Sequence, residues 1–339
     1  MSEPVTIKRG TEIELEIESL AYGGMGLARI ENFVIFVKYA IPGQKVLARI
    51  YKKRKGYAEA QVLETLVESP NAVDVCCKHY WICSKIQSLS YDEQIKEKSS
   101  QVEDAFVRLG GFLNFKLDKV QKANLIYHYR NKMEFTFSPN RWVLESEPEG
   151  VDKSFALGLH IPGRFDKILD IHNCHIQPEI GNKILAVARE VCLANPELRP
   201  YDPRSHIGFL RFLMLRFGVN TGDLMVNVVT SYHDIDKLSP LTDLLLEKFP
   251  EITSLVNNVN TRKADVAFGE YETLLYGKPF IQEKIGDLTF EISANSFFQT
   301  NTIQGEVLYK EVEEALELRG DEIIYDLYCG TGTIGLYLS

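Results

Sequence analysis

The chain has 339 residues, 45% hydrophobic and 25% charged, with a formal net charge of −9, the balance of a globular protein long enough for two or three domains. No apolar run approaches membrane-spanning length, FVIFV (Phe33–Val37) being typical, and the N-terminal MSEPVTIKRG lacks the apolar core of a secretory signal. We therefore expect a cytoplasmic protein with no membrane partner.

In chain order, TEIELEIES alternates acid and apolar residues, the mark of a half-buried strand. YGGMG is a glycine turn and IPGQ a Pro-Gly turn; FVIFV, KVLARIY and YAEAQVLETLV supply further strands. Short strands in this number predict a small OB-like barrel over residues 1–68, an architecture that serves as an oligonucleotide platform. Net charge argues against a nucleic-acid partner, but its distribution does not. From Lys38 to Tyr57 there are seven basic residues and no acid, with Lys52, Lys53, Arg54 and Lys55 consecutive. Such a run is either a solvated turn or a phosphate-tracking patch.

ESPNAVDVCCKHYWIC reads as a loop. From Tyr91 a helical spacing begins at Ile95, Val102, Phe106 and Leu109, and LGGF ends it. Residues 125–292 read as mixed α and β. YRNKMEFTFS and FALGLHI are strands, and PEIGNKILAVAREVCLANP is a helix between Pro178 and Pro196. GFLRFLMLRFG and DLMVNVVTS form a hairpin about VNTG, and LTDLLLEKF is a short helix. A long amphipathic helix in TNTIQGEVLYKEVEEALEL leads to a predicted strand, EIIYDLY.

The chain then enters Gly330-Thr331-Gly332-Thr333-Ile334-Gly335, a G-x-G-x-x-G turn before a helical segment. Alone it fits a dinucleotide turn, an S-adenosylmethionine site or a structural turn, since glycines let backbone amides approach a ligand at a helix N-terminus. The acid Asp326 on the preceding strand, and the long helix before it, favour the methyltransferase reading over the dinucleotide one.

FEISANSFFQTNTIQGEVLY with YDLYCGTGTIGL resembles the core of the RNA (uracil-5-)-methyltransferases. The likeness extends through YRNKMEFTFS, LGLHIPGRFDKILDIHNCHIQ and GFLRFLMLRFG to SLAYGGMGLARI and FVIFVKYAIPGQKV, which resemble a TRAM domain, an RNA-binding barrel. It covers nearly the whole chain in family order. The resemblance implies a TRAM-like OB barrel (1–68), an α+β central RNA-recognition domain (69–90 and 119–291) and the start of an α/β Rossmann-like methyltransferase domain (91–118 and 292–339). It implies S-adenosyl-L-methionine as cofactor, with Gln299, Tyr328, Gly330, Gly332 and Thr333 lining it. Phe297 and Asn301 would meet the target uridine, and Lys52, Lys53, Arg54 and Lys55 the RNA. Phe298 is expected in the core. The barrel favours ribosomal over transfer RNA, and we expect a monomer.

The implied chemistry is addition of a cysteine thiolate to uracil C6, attack of C5 on the methyl group, removal of the C5 proton by a base, and loss of the cysteine. The base must leave its stack to reach such a pocket. None of the six cysteines matches that nucleophile; Cys329 is read as packing. The resemblance places nucleophile and base after Ser339, so we expect the chain to be the N-terminal part of a longer enzyme, inactive alone, with a poorly held segment from about residue 320. A non-catalytic RNA-binding protein is the alternative; a dinucleotide oxidoreductase is remote.

Many relatives in this family bind a [4Fe–4S] cluster through C-x5-C-G-G-C and a later lone cysteine. Here Cys77 and Cys83 give C-x5-C, Ser84 stands at the deleted Gly-Gly-Cys step, and Cys174 matches the last ligand. Four thiolates are the usual requirement, so the degenerate pattern argues against a cluster.

Overall fold

The computed structural model describes residues 7–263 and 266–339; the first six residues of the expected barrel lie outside the described residues. The chain forms two compact units, Met1–Asn124 and Leu125–Ser339.

In the first unit the alternating TEIELEIES becomes β1 (Glu12–Glu16), followed by β2 (Ser19–Ala21), β3 (Met25–Ile30), β4 (Phe33–Lys38), β5 (Lys45–Lys53) and β6 (Tyr57–Val67). Their order is β1-β5-β6-β4-β3-β2. The two ends of that order are consecutive in sequence, so the sheet curls back on itself. At the bend the Ile17 N–H donates to the Gln44 carbonyl and the Glu18 N–H to the Leu27 carbonyl. This is an OB-like barrel whose first strand is bent between two neighbours. Its interior holds Leu15, Ile17, Ile35, Val37, Val46 and Ile50, with Ala28, Ala48, Ala58 and Ala60 where space is tightest. Removing this apolar surface from water holds the barrel shut.

The loop after the barrel carries one short helix, α1 (Tyr80–Cys83). Helix α2 (Tyr91–Asp104) continues through a π turn at Ala105–Leu109 and stops at Gly110, close to the predicted span. Glu97 accepts from the Leu20 N–H at 2.7 Å, and Gln101 donates to the Leu20 carbonyl at 3.1 Å. Helix α2 is thereby tied to β2.

The second unit is built on eight strands: β7 (Lys132–Ser138), β8 (Arg141–Trp142), β9 (Ala156–His160), β10 (Ile168–Asp170), β11 (Leu210–Phe217), β12 (Leu224–Thr230), β13 (Ser254–Val259) and β14 (Tyr271–Gly277). Their order is β14-β13-β12-β11-β7-β9-β10-β8. The β11–β12 hairpin pairs antiparallel as predicted, and β12–β13 is a parallel crossover. That crossover is made by helix α4 (Ile235–Lys248), which packs on α3 (Glu179–Ala194).

Helix α4 starts six residues, nearly two turns, earlier than the short helix predicted from LTDLLLEKF. Asp234 caps it by accepting from the Lys237 N–H at 3.0 Å. Pro240 removes one backbone donor inside the helix, which would ordinarily leave the Asp236 carbonyl without its partner. The Ser239 hydroxyl donates to that carbonyl instead, at 2.9 Å.

A separate hairpin, β15 (Phe280–Ile285) with β16 (Leu288–Ser293), leads into α5 (Thr302–Leu316). Ile281, Ile285, Phe290, Ile292, Phe298 and Tyr309 pack with Met225 and Val256 of the large sheet. The register pairs Arg216 with Met225 and Met214 with Asn227, so these residues share the covered face.

The strand predicted at EIIYDLY is not formed. Residues 321–326 belong to no sheet, so the expected Rossmann-like start lacks its first strand here. A strand persists only through a neighbour's N–H and C=O groups, and the described residues supply none to this segment. Its apolar side chains face solvent: Ile323 is 81% exposed, Tyr325 81% and Leu327 78%. The glycine turn and one short helix, α6 (Thr333–Tyr337), follow.

Candidate cofactor and nucleic-acid site

The loop Ala294–Asn301, between β16 and α5, carries three predicted site residues, and buried donors fix its course. Arg216, 3% exposed, donates Nη2 to the carbonyl oxygens of Ala294 (3.1 Å) and Ser296. Burial draws its pKa down to about 10, so the guanidinium stays charged at neutral pH. Asn295 Nδ2 donates to Asn258 Oδ1 at 3.2 Å, and Asn258 Nδ2 donates to Asn227 Oδ1 at 3.1 Å. At the far end of the loop Asn131 donates Nδ2 to the Gln299 carbonyl and to Thr302 Oγ1, both at 2.8 Å. The Asn131 N–H donates to the Thr300 carbonyl. Thr302 in turn donates to Glu283 Oε2 at 2.8 Å, and the Val219 and Asn220 N–H groups donate to the same carboxylate.

This framework sorts the two phenylalanines. Phe298 is 3% exposed and packs on Phe290, as predicted; Phe297 is 66% exposed. Asn301 uses its side chain to accept from the Gln304 N–H at 3.0 Å, capping α5. Gln299, by contrast, is held through its backbone carbonyl.

The glycine turn stands beside this loop. Thr331 Oγ1 donates to the Phe297 carbonyl at 3.3 Å, joining the two motifs. Gly330 and Gly332 take φ of 59° and 73°, the left-handed region that glycine enters without a Cβ clash. A Cβ at Gly330 would meet nothing within 4 Å, so the turn presents its backbone outward, as close approach of a cofactor requires. Tyr328 is also left-handed, at φ 63°, and fully exposed. Asp326 Oδ2 accepts from the Gly335 N–H at 3.1 Å, tying the segment before the turn to the start of α6. The Thr333 hydroxyl is turned inward and lies 3.0 Å from the buried Tyr309 hydroxyl. Its side chain therefore braces the turn. Cys329, expected to pack, is exposed, as are its neighbours Leu327 and Tyr328.

On the barrel, Lys53, Arg54 and Lys55 are exposed at the β5–β6 turn, and the Lys53 ammonium lies 5.9 Å from the Phe33 ring. Lys52 differs from its neighbours in forming an ion pair with Glu59, and the Lys52 hydrogen bond is the largest influence lowering the Glu59 pKa. Lys38 sits 4.6 Å over the Tyr51 ring, whose pKa is pushed up by burial and by its hydrogen bond to Glu59. Cations over aromatic faces give a surface that can meet both phosphates and bases.

Cys76 and Cys77 both direct Sγ to Gln87 Oε1, at 3.4 and 3.8 Å. Burial raises the Cys77 thiol to about 11. Cys174 is buried in the second unit, its N–H donating to Asn182 Oδ1. Among the described residues no group of three or more His, Cys, Asp or Glu is arranged to hold a metal ion. None of the described helices is long and apolar enough to cross a membrane.

Residues 7–63 match the TRAM domain family model. The chain is 39% identical to an uncharacterized RNA methyltransferase of Porphyromonas gingivalis over 96% of its own length and 72% of that protein. It is 42% identical to one of Chlorobaculum tepidum over 88% of its length and 63% of that protein, so it spans about two thirds of these relatives. Among solved structures it resembles the Pyrococcus abyssi tRNA (uracil-54, C5)-methyltransferase in complex with S-adenosyl-L-homocysteine. That match has a TM-score of 0.71 and 25% identity, and covers 96% of this chain and 70% of that one.

Proposed function

The chain belongs to the RNA methyltransferase family, and from that premise we propose that it serves S-adenosylmethionine-dependent methylation of uridine C5 in structured RNA, as a cytoplasmic monomer. The observation that carries this reading is the Thr331–Phe297 hydrogen bond, which sets an outward-facing glycine turn against an exposed aromatic in the NSFFQTN loop. S-adenosylmethionine, when bound, supplies the methyl group. Gly330 and Gly332 admit it to the backbone, and Tyr328 offers an exposed ring beside it. Phe297 offers a stacking face to a uracil taken out of its helix. Gln299, held through Asn131, orients cofactor and base, and Asn301 sets the start of α5 next to them. Lys53, Arg54 and Lys55 track phosphates; Lys52 contributes less, since Glu59 already engages it.

None of the six cysteines is assigned as the nucleophile. None matches that residue by sequence; Cys174 and Cys192 are buried, and Cys329 lies in the glycine turn. In this reading the 339-residue chain binds both reactants without transferring the methyl group. The tRNA enzyme aligns with 96% of the chain, so the barrel alone does not separate the two substrates, and competition between ribosomal and transfer RNA would.

The test is equilibrium dialysis with labelled S-adenosylmethionine, beside RNA binding measured against salt. We expect cofactor binding that Gly330→Val abolishes, and RNA binding whose salt slope falls in the Lys53→Gln/Arg54→Gln/Lys55→Gln variant. RNA binding with no cofactor binding would favour a non-catalytic RNA-binding module. Labelled methyl transfer by this chain would overturn the assignment of the cysteines.

A further inference from the structure

At the opposite end of β7 and β11 from the NSFFQTN loop, a shallow pocket open to solvent, lined by Thr136, His160, Phe165, Tyr201 and Arg211, lies in the second unit. The register pairs Lys132 with Arg216 and Thr136 with Phe212, so Thr136 at the pocket and Arg216 under the loop lie on one face of the sheet. Along β11, Arg211 at the pocket and Arg216 are roughly 17 Å apart at about 3.4 Å per residue.

The pocket wall is polar and fixed. Arg211, 2% exposed, donates Nη1 to the carbonyls of Asn260 (2.8 Å) and Arg262 (2.6 Å) and stacks its guanidinium 4.4 Å from the Tyr201 ring centre. Thr136 Oγ1 lies 3.2 Å from His160 Nε2. At the mouth, Phe165 is 67% exposed. The loops that bear the mouth expose Arg164 and Arg199, while the charge of Arg204 is engaged by an ion pair with the buried Asp166. Arg164 itself lies 5.8 Å from the Trp142 ring. A solvent-facing ring over a pocket of hydrogen-bonding groups, rimmed by arginines, suits a planar base joined to a phosphate chain.

We propose that this pocket is a second nucleotide subsite, which takes an unpaired base of the same RNA whose target uridine enters beside Phe297. Phe165 stacks on that base, Arg211, Thr136 and His160 face its edge, and Arg164 meets the neighbouring phosphate. The subsite fixes the register of the RNA on the sheet. The proposal rests on the RNA reading above.

The test is fluorescence anisotropy with fluorescein-labelled decauridylate and with a blunt RNA hairpin, over a salt series. Phe165→Ala weakens decauridylate binding about fivefold or more, the loss expected when one base loses its stacking partner, with the salt slope unchanged. Phe165→Trp restores it. Arg164→Gln reduces the salt slope by about one, and the hairpin, which has few unpaired bases, responds less to Phe165→Ala. Decauridylate binding by Phe165→Ala within twofold of the unmodified chain, or an equal loss for the hairpin, overturns the subsite. If the Lys53→Gln/Arg54→Gln/Lys55→Gln variant loses affinity while the Phe165 and Arg164 variants do not, this inference alone falls. If the unmodified chain binds neither RNA, the RNA reading itself fails.

Discussion

The two motif segments are neighbours held in opposite ways. The Ala294–Asn301 loop is anchored by Arg216, Asn258 and Asn131, which come from three strands or strand ends of the large sheet. The segment from residue 320 to the glycine turn has no ladder partner and turns Ile323, Tyr325 and Leu327 to water. Both are equally visible as motifs. The comparison teaches that a motif marks where chemistry is intended, while its rigidity comes from residues distant in sequence.

Arg216 tests this difference most severely. In Arg216→Met the Ala294 and Ser296 carbonyls stay buried without their donor, and we expect a loss of about 3 kcal/mol. A Trp81→Phe background leaves Trp142 as the single tryptophan reporter in the second unit, and urea unfolding followed by its fluorescence reads the loss. The deficit should be the same at pH 6 and pH 8, because a pKa of about 10 keeps Arg216 protonated throughout. A loss below about 1 kcal/mol would mean that water replaces the guanidinium and that the loop is not anchored there.

Asn131→Ala should cost less, about 2 kcal/mol, since one amide serves the Gln299 carbonyl and Thr302 together. It sharpens the comparison because it should also weaken S-adenosylmethionine binding, by releasing Gln299. Asn301→Ala removes only the α5 cap and should cost about 1 kcal/mol. If it lowers RNA affinity far more than that stability loss explains, Asn301 contacts RNA as well as capping.

Much of this architecture was legible. Period-2 alternation located the barrel strands, Pro178 and Pro196 bracketed α3, and NSFFQTN and the glycine run, singled out as motifs, lie side by side. The anchors were not legible as a set. Arg216 sits in the apolar run LRFLMLRF, where a buried charge is a signal, but nothing in the run says which carbonyls it serves. The asparagines of SLVNNV blur the strand pattern of β13, because Asn227 and Asn258 satisfy each other only once the parallel pairing of β12 and β13 exists. The predicted strand at EIIYDLY fails for the converse reason. Its local pattern is right, and pairing is a property of the neighbour.

The smallest expected effect probes the exposed segment. Ile323→Ser and Tyr325→Ser each remove apolar surface that is already in water, so neither transfer nor cavity cost arises. Each should change second-unit stability by less than about 0.5 kcal/mol, in the same Trp142 assay that registers Arg216→Met. The buried contact nearby gives the control. Tyr309→Phe deletes a hydroxyl 3.0 Å from Thr333 Oγ1 and should cost about 1 kcal/mol. If the serine variants destabilise as much as Tyr309→Phe, residues 320–328 pack against something in solution and the contrast between the two segments disappears. If they are silent, the exposed apolar side chains add nothing to the stability of the glycine turn, which is held through Thr331, Thr333 and the Asp326–Gly335 bond.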